Sequence, residues 1–300
     1  MRAYFFFILL AIILSSSCED VIDVDLPTAE SKLVVNGIIR VDTTQEFVPV
    51  EIRFSESSNF FDDNTPTQVD QVFIIYGQPD PRQPELLLNV AFSNLAEEVP
   101  GTGIYTPDPN FSMDQRIRTS AVFPGTLFIL QVSFKDRSYA SRTFYAPAVA
   151  IDNLEQGDNT LFDEDDTEVL VTITDPPDEQ NYYVFDFGFG EFLALDDQFI
   201  DGQDFEFSYF YERDLEPGDV VDVSVLGADR EFHNYINLLV EQTENDGGVF
   251  ETPAATIRGN VFDVTGLDNN LLFDNVNRPE TFPLGYFAVV EEFTQTLTIE

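Results

Sequence analysis

An all-β fold is what this 300-residue chain predicts, and three observations carry that reading. Apolar residues recur with a period of two over many short runs, the signature of half-buried strands. The runs are separated by segments rich in Pro, Gly, Asp and Asn, the residues that turns require. Only one run changes to the helical period. We expect an N-terminal immunoglobulin-like β-sandwich followed by a second β-domain with one amphipathic helix.

Taken in order, Leu33 to Ile39 (LVVNGII) reads as a strand, with Gly37 marking a bulge or a close approach of another backbone. In Phe47 to Phe54, Val48, Val50, Ile52 and Phe54 face one way and Phe47, Pro49, Glu51 and Arg53 the other. Further strands are expected at 69–76, 86–92, 127–134 and 139–145. Between them, Gln78 to Pro84 (QPDPRQP) and Pro100 to Asn110 (PGTGIYTPDPN) read as connections. The first domain should occupy 31–147.

The second domain should occupy 148–300 and begin with an acidic segment, 152–168, as linker or loop. Strands resume at 169–174 and 182–189, where Tyr183, Phe185, Phe187 and Phe189 share a face. Asp201-Gly202 reads as a turn into a second aromatic stripe, Phe205, Phe207, Tyr209 and Tyr211. Val221, Val223 and Val225 then share one face of another strand. Near 229–245 the pattern becomes Phe232, Tyr235, Ile236, Leu239 and Val240 behind the N-cap candidate Asp229, an amphipathic helix. Strands return at 259–264, 284–291 and 293–299, and no internal repeat is evident.

The N-terminus is of another kind. Arg2 precedes an unbroken apolar run, Ala3 to Leu14, then Ser15, Ser16, Ser17 and Cys18. Twelve apolar residues are too few to span a hydrocarbon core of about 30 Å. The pattern is a signal peptide over 1–17. Cys18 is the only cysteine and would become the first mature residue. The exit resembles a bacterial lipobox, with Leu14 four positions before the cysteine where three is commoner, and implies a diacylated Cys18. Residues 18–30 then form an acidic, lipidated tether.

Loss of residues 1–17, whose one charge is Arg2, takes the formal charge from −41 to −42. A field of that sign repels nucleic acid and anionic membrane surfaces and favours cations and basic protein patches. With one cysteine there is no intrachain disulfide, and 30 Phe with no Trp point to a Phe, Ile, Leu and Val core.

A set of segments in a shared order resembles a Bacteroidota lipoprotein family, domain of unknown function four-two-four-nine. They are Cys18-Glu19-Asp20 with VIDVDLP, LVVNG at 33–37, DPPDEQNYYVF at 175–185, GDVVDVSV at 218–225, Tyr235 to Leu239, PAATIRGNV at 253–261 and LGYF at 284–287. The resemblance implies an outer-membrane, surface-exposed lipoprotein, often encoded beside TonB-dependent receptors. It implies that Glu19 and Asp20 act as the export signal, and it assigns no catalytic residue.

The residues themselves offer little chemistry. His233 is the only histidine and sits on the expected helix, away from any GxSxG motif, so a Ser-His-Asp arrangement is not expected. One His and one lipidated Cys cannot build a zinc shell. Hard cations stay open: Asp163, Glu164, Asp165 and Asp166, or Asp196, Asp197, Asp201 and Asp204, offer carboxylates to Ca2+, though neither run has EF-hand order. No other cofactor is expected. Alternate aromatics on a strand usually form core. If the second stripe is instead an exposed platform for a small-molecule or glycan ligand, Tyr209 and Tyr211 are its contacts, since a phenol tolerates water. The expected function is therefore a non-enzymatic accessory to a TonB-dependent receptor in nutrient uptake, held on the membrane by Cys18. A structural or adhesive surface protein and a carboxylate-dependent hydrolase are the alternatives.

Overall fold

The computed structural model describes residues 31–58, 64–161, 166–211, 213–243, 257–267 and 282–300. Cys18, Glu19, Asp20 and the tether lie outside that set, as do Asp163, Glu164 and Asp165. The fold is all-β with one α-helix among the described residues, and residues 31–300 form one compact unit.

The first strands are β1 (Leu33–Val41), β2 (Ile52–Glu56), β3 (Thr65–Pro66), β4 (Gln71–Asp80), β5 (Gln83–Glu97), β6 (Ile104–Pro107), β7 (Leu127–Phe134) and β8 (Arg137–Phe144). They are hydrogen-bonded in the order β1, β2, β6, β5, β4, β7, β8, with β3 on β2. The ladder is continuous instead of splitting into two separate sheets. Two C-terminal strands join it: β15 (Val261–Asp263) pairs with β8, and β16 (Leu284–Thr298) runs parallel to β1. Beyond β8, Ala146 bridges Val290, so the path returns to β16. Inside lies a core that includes Val35, Ile52, Phe54, Ile74, Phe128, Leu130, Phe287 and Val289. Val48, Val50, Ile52 and Phe54 are all buried, as alternation requires. Regular pairing there begins only at Ile52, because Pro49 lacks the N–H that a ladder needs. Gly37 makes a close approach, though to a side chain: a Cβ there would stand 3.2 Å from the Phe287 ring.

The remaining elements are β9 (Ile151–Gln156), β10 (Glu168–Thr174), β11 (Tyr182–Asp186), β12 (Phe192–Asp196), β13 (Asp204–Phe210), β14 (Val220–Ala228) and α1 (Arg230–Thr243). Here two sheets face each other. One has the order β12, β11, β14, β16 and the other β13, β10, β9. Their shared core holds Val169, Val171, Ile173, Tyr183, Phe185, Phe187, Val221, Val223 and Val225. The two-sheet packing expected of the first half is thus found in the second.

Helix α1 covers the outer face of the first of these sheets. Asp229 caps it, accepting the Phe232 N–H at 2.7 Å. Phe232 and Ile236 insert against Val184, Leu226, Tyr286 and Ala288. Four local expectations are corrected. The two strands expected at 284–291 and 293–299 are one continuous β16. Most of Gln78 to Pro84 is hairpin, with Asp80 paired to Gln83 across Pro81-Arg82. The acidic segment after 150 opens with β9, and Pro100 to Asn110 conceals β6.

Candidate functional site

β16 changes partner along its length. Val34 to Val41 of β1 pair with Leu284 to Glu291, and Leu226 to Val220 of β14 pair with Glu292 to Thr298. Beside this changeover, residues of β1, β12, α1 and β16 line a groove. Its inner chamber, about 390 Å³, is lined by Val34, Ile38, Phe192, Tyr235, Ile236, Leu239, Val240 and Tyr286. A second hollow of about 440 Å³ shares Asn36, Ile38 and Phe192 with it and adds Arg40, Glu51, Arg53 and Glu292. One end of the groove is therefore apolar and aromatic, and the other carries charge of both signs. Volumes of this order suit a small organic ligand.

The local sequence explains both ends. Strand alternation puts Val35, Ile39 and Val41 in the core and leaves Asn36, Ile38 and Arg40 on the opposite face of β1, toward the groove. On α1, Tyr235 and Leu239 are one turn apart, as are Ile236 and Val240, and all four line the groove. Tyr235 and Tyr286 pack with ring centres 4.7 Å apart, and burial raises the pKa of both phenols, keeping them neutral. At the other end, Arg40 donates to Asp186 and, at 3.1 Å, to Glu292. Burial works against that cation, but the hydrogen bonds and charges of Asp186 and Glu292 outweigh it and raise the Arg40 pKa. Arg53 pairs with Glu51 at 2.7 Å and is largely exposed. Among the described residues, those that line the groove include no nucleophile with a base beside it.

The expected site residues fare differently. Tyr211 is 3% exposed and donates to the Phe187 carbonyl at 3.0 Å. Tyr209 stacks on Phe187 with ring centres 3.6 Å apart and planes 5° from parallel, and donates to Glu191 at 2.8 Å. Phe205 and Phe207 pack on the same core. The exposed-platform reading of this stripe is corrected: a second sheet faces it, so the rings are packing. His233 lies on α1 as expected, its ring 5.3 Å from that of Tyr182. Of the two acidic runs, the second contributes Asp197 and Asp201, which the fold brings together with Asp175; one oxygen from each lies within 4.8 Å of the others. Asp196 and Asp204 are exposed at the facing ends of β12 and β13. The groove itself was not legible, because its walls come from β1, β12, α1 and β16, which are scattered over 250 residues.

A family model described as "Domain of unknown function (DUF4249)" matches residues 19–267, so the chain belongs to that family. No curated protein matches it.

Proposed function

Starting from membership of a family with no assigned activity, we propose that this chain is a non-enzymatic capture protein, lipid-anchored through Cys18 at the outer membrane, that serves a TonB-dependent receptor. The observation that carries the reading is the groove between β1, β12, α1 and β16, with an apolar chamber and a charged mouth. It suits retention of a small amphipathic ligand, whose apolar part would lie against Phe192, Leu239 and Tyr286 and whose polar end would meet Arg53 and Glu292. An anchor beside the barrel raises the local ligand concentration even when affinity is weak. A surface for the receptor is also available. The β4–β5 hairpin leaves Leu86, Leu88, Val90 and Phe92 each 44–55% exposed, an apolar density unusual for a surface with nothing to contact.

The test is purification of the acylated protein from gently solubilised outer membranes, followed by identification of everything retained. Stoichiometric recovery of a TonB-dependent barrel and of one class of small molecule is the expected result. The Phe192→Asp variant should lose the small molecule and keep the barrel. A protein that emerges alone, with and without the substitution, would sink the reading and turn attention to adhesion.

A further inference from the structure

Resting on the capture reading above, we propose that the ligand of the groove is a short linear peptide with both termini free, about three or four residues long, with an apolar side chain. The charges at the mouth are unevenly used. Arg40 donates to two carboxylates, Asp186 and, at 3.1 Å, Glu292. One cation against two anions leaves a negative charge in excess. It is held close to the protein, since the side chains of Asp186 and Glu292 are only 14% and 20% exposed. The Gly188 N–H takes the other Asp186 oxygen at 2.8 Å. Among the described residues this leaves the second Glu292 oxygen as an open acceptor in the hollow. An ammonium fits that place in charge and in hydrogen bonding.

The second cation is used differently. Arg53 commits only its Nε, at 2.7 Å to Glu51, and its two terminal amines have no partner among the described residues. Asn36 pairs with Arg53 across β1 and β2, and both line the same hollow. Directly paired residues bring their side chains within about 5 Å of each other. Asn36 is exposed, so its amide is open to a ligand as well. A guanidinium fork beside an amide presents converging donors to one carboxylate.

The separation of these two ends selects among zwitterions. Asn36 and Arg40 are four positions apart on β1, about 13 Å at the rise of a strand. The two charges of a single amino acid, or of a zwitterionic lipid headgroup, stand too close together to reach both ends. Three or four extended residues span about 10–14 Å. Ile38 lies between the ends and lines both the hollow and the apolar chamber. A side chain in the middle of the peptide would therefore enter the chamber beside Phe192 and Tyr286. A zwitterion has no net charge, so the acidic field of the chain does not repel it as it would a simple anion.

Calorimetric titration of the purified acylated protein with the tripeptide Leu-Phe-Leu, its N-acetyl form and its C-amide form tests this. The free peptide should bind one site per chain, and each blocked form about tenfold or more weaker. Arg53→Gln, at an exposed position, should weaken the free peptide by a similar factor and leave the C-amide form unchanged. Glu292→Gln, which keeps an acceptor for Arg40, should weaken the free peptide and leave the N-acetyl form unchanged. Equal affinity for all three forms, or uniform weakening of all three by Arg53→Gln, would overturn the assignment. Binding of dodecylphosphocholine or of phenylalanine as tightly as the tripeptide would do the same. So would failure to bind the tripeptide by a protein that still retains a barrel and another small molecule, an outcome that leaves the capture reading standing. Tripeptide binding by a protein that leaves the membrane alone would support the site and sink the receptor reading.

Discussion

The two halves of β16 make the most instructive pair of regions in this molecule. Its first half lies parallel to β1, a strand some 250 positions earlier, and closes a ladder whose other members, the short β15 apart, all precede residue 145. Its second half lies antiparallel to β14, whose residues are about 70 positions away, and completes a sandwich built from residues 151–299. The first core thus depends on distant chain, and the second is largely assembled from near neighbours. Because one strand serves both, neither ladder can lose its place without disturbing the other.

The comparison can be broken or sharpened experimentally. The largest effect should come from expressing 31–147 alone. Lacking β15 and β16, it should show no cooperative thermal transition by near-ultraviolet circular dichroism, whereas autonomous folding would show that the closing strand is dispensable. Next, Phe54→Ala in the first core and Phe187→Ala in the second should each cost about 3–5 kcal/mol. Both should lower one shared transition in urea; two separated transitions would mean that β16 does not couple the cores.

Glycines provide a finer test. Gly285 has φ +87°, and an added Cβ would stand 1.9 Å from the Val35 carbonyl oxygen on β1. Gly218 has φ +100° but opens on empty space. Gly285→Ala should therefore cost about 3 kcal/mol or more and Gly218→Ala about 1 kcal/mol, because only the first adds a backbone clash to the φ strain. Asn260 should follow. Its side chain accepts the Phe287 N–H at 2.9 Å and donates to the Phe287 carbonyl at 2.7 Å, occupying a gap on β16 where a strand would otherwise pair. Asn260→Ala should cost about 2 kcal/mol by chemical denaturation.

The smallest effect is confined to the sandwich and to acid. Glu168 is buried, and its carboxylate accepts from Ser208 and Asn159. The Ser208 hydrogen bond, against burial and with help from Asn159, lowers its pKa. A group depressed in the folded state adds stability above its unfolded pKa, near 4.5, and loses it as pH falls through the folded value. Urea midpoints taken from pH 6 to pH 3 should therefore fall less steeply for Glu168→Gln than for the wild type. Parallel slopes would show that this carboxylate does not contribute.

Much of this fold was legible because its signals are local. Val48, Val50, Ile52 and Phe54 alternate, so their burial follows from the pleat, and Asp229 with the Phe232-Tyr235-Ile236 spacing announces α1. The hairpin tip was missed because Pro79, Pro81 and Pro84 are turn signals, yet Pro79 pairs with Leu87 and Pro84 falls in the register shift beside it, outside the paired positions. The aromatic stripe from Phe205 to Tyr211 had a legible period. Whether its rings face a partner sheet or solvent is not a property of period.

By itself, then, the chain's amino-acid order determined the all-β class, the place of the helix, the faces of most strands and the strongly acidic field. Tertiary structure alone decided that β16 joins two cores, that β1, β12, α1 and β16 line a groove, and that Asp175 meets Asp197 and Asp201. Periodicity records which side of an element is apolar, because water selects at every residue. Which distant element covers that side depends on long-range pairing, and no local pattern encodes it.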